Sequence, residues 1–150
     1  MQCGDPAWTQ ALRDTFETTL VAAGADATDV HFSISEQYDA PPEDLAPDSG
    51  PLGWTCRIVG GSIIEFSRQP QPDVDLRVRL DYAVFDELAR IVVDGDSATQ
   101  VRMDERAGQA IQQGRMSVDG SAAGAPPWLM AAVHDTMART ILAATQEDSR

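Results

Sequence analysis

DVDLRVRLDYAVFDELARIV, residues 73–92, changes its hydrophobic period halfway along. Val74, Leu76, Val78 and Leu80 alternate with Asp75, Arg77 and Arg79. Successive side chains of a strand point to opposite faces, so this half reads as a strand with one dry and one charged face. From Asp81 onward the apolar residues fall three and four apart. Tyr82, Phe85, Leu88, Ala89 and Val92 then make the inner face of a helix that Asp81 is placed to cap. A half-dry strand running straight into a half-dry helix calls for helices on one face of a sheet and water on the other. That is an α+β arrangement.

Upstream, Asp5-Pro6 is a helix start, because Asp caps and Pro is favoured at the first helical position. Trp8, Leu12, Phe16 and Leu20 follow at four-residue intervals as one apolar stripe, and Gly24 stops the helix. Val30, Phe32 and Ile34 alternate with His31, Ser33 and Ser35, which predicts a strand. Residues 37–53, QYDAPPEDLAPDSGPLG, carry four prolines and four acids and have no period; they read as a long acidic loop. Residues 54–59 and 62–66 flank Gly60-Gly61, a hairpin signal, since both turn residues can take positive φ.

Downstream, Asp94-Gly95-Asp96 breaks the pattern and a further helix is expected from Ser97 towards Gln113, weakened or split at Gly108. In QQGRMSVDG, residues 112–120, Met116 and Val118 share one face of a short strand. A small-residue linker, SAAGAPP, leads to a last helix from Trp128 to about Ala143, with Leu129, Met130, Val133, Met137 and Ile141 as its stripe. The expected fold is one α+β domain over residues 1–150. Its sheet is mostly antiparallel, of about five strands, with helices packed on one face.

The chain has 11 Lys+Arg, all arginine, against 24 Asp+Glu, a net charge of −13. Such a field repels a phosphate backbone and an anionic membrane surface, so nucleic acid is not an expected partner. No apolar run approaches the roughly 20 residues of a membrane span. MQCGDPAW lacks the basic start and apolar stretch of a secretory signal. With Cys3 in a terminal tail and Cys56 inside a strand, reduced thiols and a cytoplasmic location are expected.

Candidates for chemistry are few. His134-Asp135 suggests a metal site, but the only other histidine is His31. His134 falls at the edge of its helical stripe and reads as boundary packing. Asp135 stands one turn before Arg139, in the favourable order for an exposed pair. Cys56 shares a face with Trp54 and Ile58 and reads as a buried, inert thiol; a nucleophilic pairing with His31 lacks a third, orienting residue. The glycines fit no phosphate-binding spacing, and the loop acids lack the ligand spacing of a calcium hand. No cofactor or metal is expected. Met103, Met116, Met130 and Met137 crowd the C-terminal half, as core filler or as the adaptable wall of an apolar cavity.

From about Trp54 onward the chain resembles the sterol-carrier-protein-type lipid-binding domain. The resemblance lies in the hairpin, the strand PDVDLRVRL, the helix DYAVFDELARIV and the strand Gly114-Arg115-Met116-Ser117-Val118-Asp119-Gly120 between two helices. Residues 93–109 are longer than the family pattern, and the loop at 37–53 is an addition to it. The resemblance implies a non-enzymatic domain that binds or transfers a fatty acid, acyl-CoA or sterol in an apolar cavity. The residues expected to line that cavity are Val78, Leu80, Phe85, Leu88, Ile111, Met116, Val118, Met130, Val133 and Met137. Two alternatives accompany it. One is a protein–protein interaction module, a homodimer included, with a filled core and Trp54 and Trp128 as partly exposed anchors. The other is a small enzyme built on His134 or Cys56.

Overall fold

The computed structural model describes residues 1–48 and 50–150; Ser49, inside the expected acidic loop, lies outside the described residues. Five strands form one sheet: β1 (Phe32–Asp39), β2 (Leu52–Val59), β3 (Ser62–Ser67), β4 (Leu76–Asp81) and β5 (Met116–Gly120), in the order β3-β2-β1-β4-β5. Three of the four pairings are antiparallel, and β1 with β4 is parallel. The sheet is therefore mixed but mostly antiparallel, and the fold is α+β.

The helices α1 (Pro6–Ala23), α2 (Tyr82–Leu88), α3 (Ser97–Gln112) and α4 (Pro127–Asp148) meet the inner face of this sheet. In α1, Asp5 caps Trp8 N with one carboxylate oxygen at 2.6 Å and accepts from Gln2 N with the other at 2.7 Å. The expected stripe is buried: Trp8, Leu12, Phe16 and Leu20 join Phe32, Ile34, Trp54, Cys56 and Ile58 of the sheet in one core. Cys3, expected in a tail, is wholly buried in that core, and its backbone carbonyl accepts from the Tyr82 hydroxyl at 2.7 Å.

The long loop is shorter than its sequence suggested. Gln37, Tyr38 and Asp39 complete β1, and Leu52 and Gly53 already belong to β2. Helix α3 is continuous through Gly108, capped by Asp96, and α4 runs past Ala143 to Asp148. At the β2–β3 turn both Gly60 and Gly61 have positive φ, as the hairpin requires. A Cβ on Gly61 would lie 2.4 Å from the Ala27 carbonyl oxygen, so this corner is closed to larger residues.

The outer face carries a strap. Residues 68–75 cross it from the β3 edge to β4, over a row of hydroxyls that anchors their backbone. Thr55 donates to the Gln69 carbonyl at 2.8 Å, Ser35 accepts from Gln71 N at 2.9 Å, and Ser33 accepts from Asp75 N at 2.9 Å. Thr55 and Ser35 are thus buried although they face away from the core. Small polar residues at these positions give the crossing chain hydrogen-bond partners as it leaves water.

Candidate functional site

A cavity of about 250 Å³ lies between the sheet and the helical layer. Trp8, Leu12 and Phe16 of α1 form its floor together with Trp54 of β2, Leu80 of β4 and Phe85 of α2, all of them buried. Met103, Asp104 and Ala107 of α3, with Met130 and His134 of α4, line the side where exposure rises, so the mouth lies between α3 and α4. Val78, Leu88, Ala89, Met116, Val133 and Met137 complete the wall.

Eight of the ten expected lining residues stand on this wall: Val78, Leu80, Phe85, Leu88, Met116, Met130, Val133 and Met137. Ile111 and Val118 do not. Both are about half exposed, at 48% and 47%. Ile111 sits near the C-terminal end of α3, where Ala110 rather than its neighbour turns inward. Val118 shares the inner face with Met116, but β5 is an edge strand and is exposed from Ser117 onward. Parity along a strand assigns a face; it does not say how far the opposite layer extends.

Glu36 is the polar group that sequence reasoning missed. It follows Phe32 and Ile34 on the inner face of β1, opposite Trp54 on one side and Val78 on the other. Trp54 Nε1 donates to the Tyr38 hydroxyl at 2.7 Å, and Tyr38 donates to Glu36 Oε1 at 2.7 Å. An indole N–H can only donate, so the direction of this relay is fixed. Tyr38 is itself held flat against Phe85, centroids 3.7 Å apart at 10°. Burial raises the Glu36 pKa above the ordinary glutamate value, and the Tyr38 hydrogen bond only partly offsets it. Tyr38 is pushed up as well, by burial first and then by the adjacent Glu36 carboxyl. The signal was in the sequence: the alternation that places Ile34 inside continues through Glu36 to Tyr38, and an acid on a dry face is unusual.

The other sequence candidates do structural work. His134 Nε2 lies 2.7 Å from the Ile91 carbonyl oxygen, so that nitrogen carries the proton. Asp135 does not pair with Arg139. Its two oxygens accept from Val93 N and Asp94 N, both at 2.9 Å, while Arg139 pairs with Asp94 at 3.1 Å. Three neighbouring side chains of α4 thus hold residues 91–94, where Asp94 takes a positive φ of 48°. Cys56 is enclosed, and burial pushes its thiol up to about 12, far from a reactive thiolate. His31 is exposed on the opposite face of the sheet, so the two do not pair. Trp54 is 3% exposed, which removes it as an interface anchor; Trp128 is half-buried. Among the described residues, no three His, Cys, Asp or Glu side chains are grouped to hold a metal ion, and no helix is long and apolar enough to cross a membrane.

No family model matches the chain, and no curated protein matches it closely enough to count as a relative. Among solved structures it is similar to sterol carrier protein 2, at 13% identity, 92% coverage of this chain and 95% of that one, and a TM-score of 0.49. A conserved hypothetical protein from Thermus thermophilus, described as possibly a sterol carrier protein, is similar at 15% identity, 94% and 90% coverage and a TM-score of 0.49. A ubiquinone synthesis protein, UbiJ-SCP2, is similar at 12% identity, 88% and 96% coverage and a TM-score of 0.48. Each of the three is matched over most of this chain's length, and the likeness is one of fold.

Proposed function

We propose that this chain binds an apolar small molecule in the cavity between sheet and helices, as a carrier and without turnover. The observation that carries the proposal is the cavity itself. Its wall draws on all four helices and on four of the five strands, and it is apolar except for Glu36, Asp104 and His134. A well-packed core leaves few voids larger than a water molecule, so a space of about 250 Å³ is more than a packing fault. It falls just under the roughly 300–1,000 Å³ of small-molecule sites. A single alkyl chain suits it; a sterol would need α3 to move outward.

The ligand class, a fatty acid, acyl-CoA or sterol, follows from the sequence resemblance. The eight wall residues named from the sequence are proposed as ligand contacts. An interaction module with a filled core is the weaker reading, because the core has this space and Trp54 is not at the surface. An enzyme on His134 or Cys56 is weaker still. The Nε2–H of His134 is engaged by a backbone carbonyl, and Cys56 is closed off from water.

Native mass spectrometry of the protein as purified from cells, followed by organic extraction, tests the proposal. A stoichiometric apolar adduct is expected, and Met116→Trp, which fills the cavity from its wall, should reduce it. A bare protein mass, unchanged after incubation with fatty acids, acyl-CoA and sterols, would overturn the proposal and favour the interaction module.

A further inference from the structure

Three features of the cavity wall bear on what the ligand's polar end must be. Glu36 is the carboxyl group set deepest in it, on the inner face of the central strand between Trp54 and Val78. Its Oε1 accepts one hydrogen bond, from Tyr38. Its Oε2 makes none among the described residues. Nor does it belong to the fully enclosed polar atoms that lack a partner, of which Trp8 Nε1 is the one found. The second oxygen therefore reaches the free space of the cavity.

The charge inventory of the wall is the second feature. Among the described residues that line it there is no lysine or arginine. Nearby Arg106 pairs with Glu87 at 3.0 Å, and Arg115 pairs with Asp81 at 2.8 Å. His134 commits its Nε2–H to Ile91. Asp104, the other acid, stands exposed at the mouth.

The relay gives the third. Glu36 is half-buried, with its free oxygen facing an apolar wall that holds no cation, and its carboxyl has one neutral donor, so a charge there is poorly compensated. The neutral acid is the form that the surroundings accept. Since the Tyr38 O–H already points at Oε1, the acid proton belongs on Oε2, directed into the cavity. The polar feature that the ligand meets at depth is then a neutral O–H donor.

Resting on the carrier function proposed above, we infer that Glu36 is the head-group anchor of the cavity, selecting apolar ligands that end in a neutral acceptor oxygen, a hydroxyl or carbonyl, over carboxylates. An alcohol or ketone oxygen accepts from Oε2–H and leaves no charge behind. A carboxylate would bring a negative charge into an apolar space with no counter-ion on its wall, where its desolvation goes uncompensated. Within a space that suits a single alkyl chain, this favours a chain ending in an uncharged hydroxyl or carbonyl over ionised fatty acids and acyl-CoA.

The test is displacement of a neutral apolar fluorophore, N-phenyl-1-naphthylamine, by 1-decanol and by decanoate at pH 6, above the ordinary carboxyl range so that decanoate is ionised. Wild type, Glu36→Leu and Glu36→Gln are compared, with the fold of each checked by circular dichroism. An apolar pocket favours the alcohol to some degree without any anchor, so the variants carry the decision. In Glu36→Leu, decanol affinity is expected to fall about fivefold or more, the loss of one buried hydrogen bond. Decanoate and fluorophore affinities should not fall with it. Glu36→Gln keeps an N–H donor at this position and should keep the decanol affinity. Equal losses for decanol, decanoate and fluorophore in Glu36→Leu, or an unchanged decanol affinity in that folded variant, would overturn the anchor while the carrier function stands. Absence of fluorophore, decanol and decanoate binding to the wild type would overturn the carrier function and the anchor together. Should Glu36→Leu fail to fold, Glu36→Thr replaces it with a shorter donor that does not reach the same point, and the same loss is expected.

Discussion

Helices α1 and α3 are nearly equal in length, 18 and 16 residues, and both are capped by an aspartate, yet they are held very differently. Six residues of α1 are buried, among them Trp8, Leu12 and Phe16 on the cavity floor. In α3 only Ala110 is buried. It is held besides by the Arg106–Glu87 ion pair, by Arg115 N donating to the Ala110 carbonyl at 2.8 Å and by the half-buried Met103 and Ala107 at the mouth, while the Asp96 cap acts within the helix itself. An exposed ion pair contributes little. Local opening is governed by buried apolar contact, so α3 is the element that separates at least cost and α1 the one that opens only with the whole fold. A cavity with a fixed floor and a loosely held side can admit a ligand without unfolding.

The sharpest way to break this comparison is truncation on both helices. Phe16→Ala removes a fully buried ring and should cost about 3–5 kcal/mol in denaturant unfolding. Met103→Ala, at the mouth, should cost much less. Similar losses would mean that α3 is as firmly packed as α1. The next effect belongs to Glu36→Gln. The folded-state pKa of Glu36 is raised, so the folded protein favours the neutral acid. The wild type therefore loses stability as pH rises from the ordinary glutamate range through the raised value, while glutamine does not titrate. Thermal melting across that range should show the variant gaining on the wild type as pH increases. A constant difference would place Glu36 in water.

Two smaller changes act on α3 alone. Asp96→Ala removes the cap that accepts from Thr99 N at 3.1 Å, and should destabilise the helix by about 0.5–2 kcal/mol. Hydrogen exchange should quicken in α3 and stay unchanged in α1. Gly108→Ala meets open space around the added methyl and should stabilise α3 by up to about 1 kcal/mol. Slower exchange in α3, with slower ligand release, is the expected pair of results; faster release would remove α3 as the moving side.

Most of this architecture could be read from periodicity. The stripe of α1, the half-dry strand before α2 and the glycine-paired hairpin all stand where the spacing of apolar residues put them. Local pattern has a limited range, and the departures lie beyond it. Asp135 and Arg139 were spaced for each other, but the backbone of residues 93 and 94 and the Asp94 carboxylate, brought in from 41 residues away, offered better partners. Val118 has the right parity, but cover on β5 ends at Met116 and every residue after it is exposed. Ile111 and Ala110 are adjacent on a helix, and only packing decides which of them is enclosed. Glu36 is legible in the alternation, but the polar, proline-rich stretch that begins beside it masks the continuation of the strand past Ser35. The cavity had no signature apart from the clustering of methionines, since a space is a property of what surrounds it.

The strap across the outer face has a consequence in time. Strands β1, β2 and β3 follow one another along the chain and pair as an antiparallel meander, so their contacts close early. Strand β4 must instead find β1 in parallel, after the chain has travelled out to β3 and back, and Ser33 meets Asp75 across 42 residues. Val78, Leu80 and Met116, one whole side of the cavity, arrive with that step. The folding chain should therefore pass through a stage with the meander formed and no chamber, its apolar inner face open on one flank. Pulse-labelled hydrogen exchange during refolding would show protection in β2 and β3 before β4 and β5; simultaneous protection would mean that the strap and the meander form as one unit.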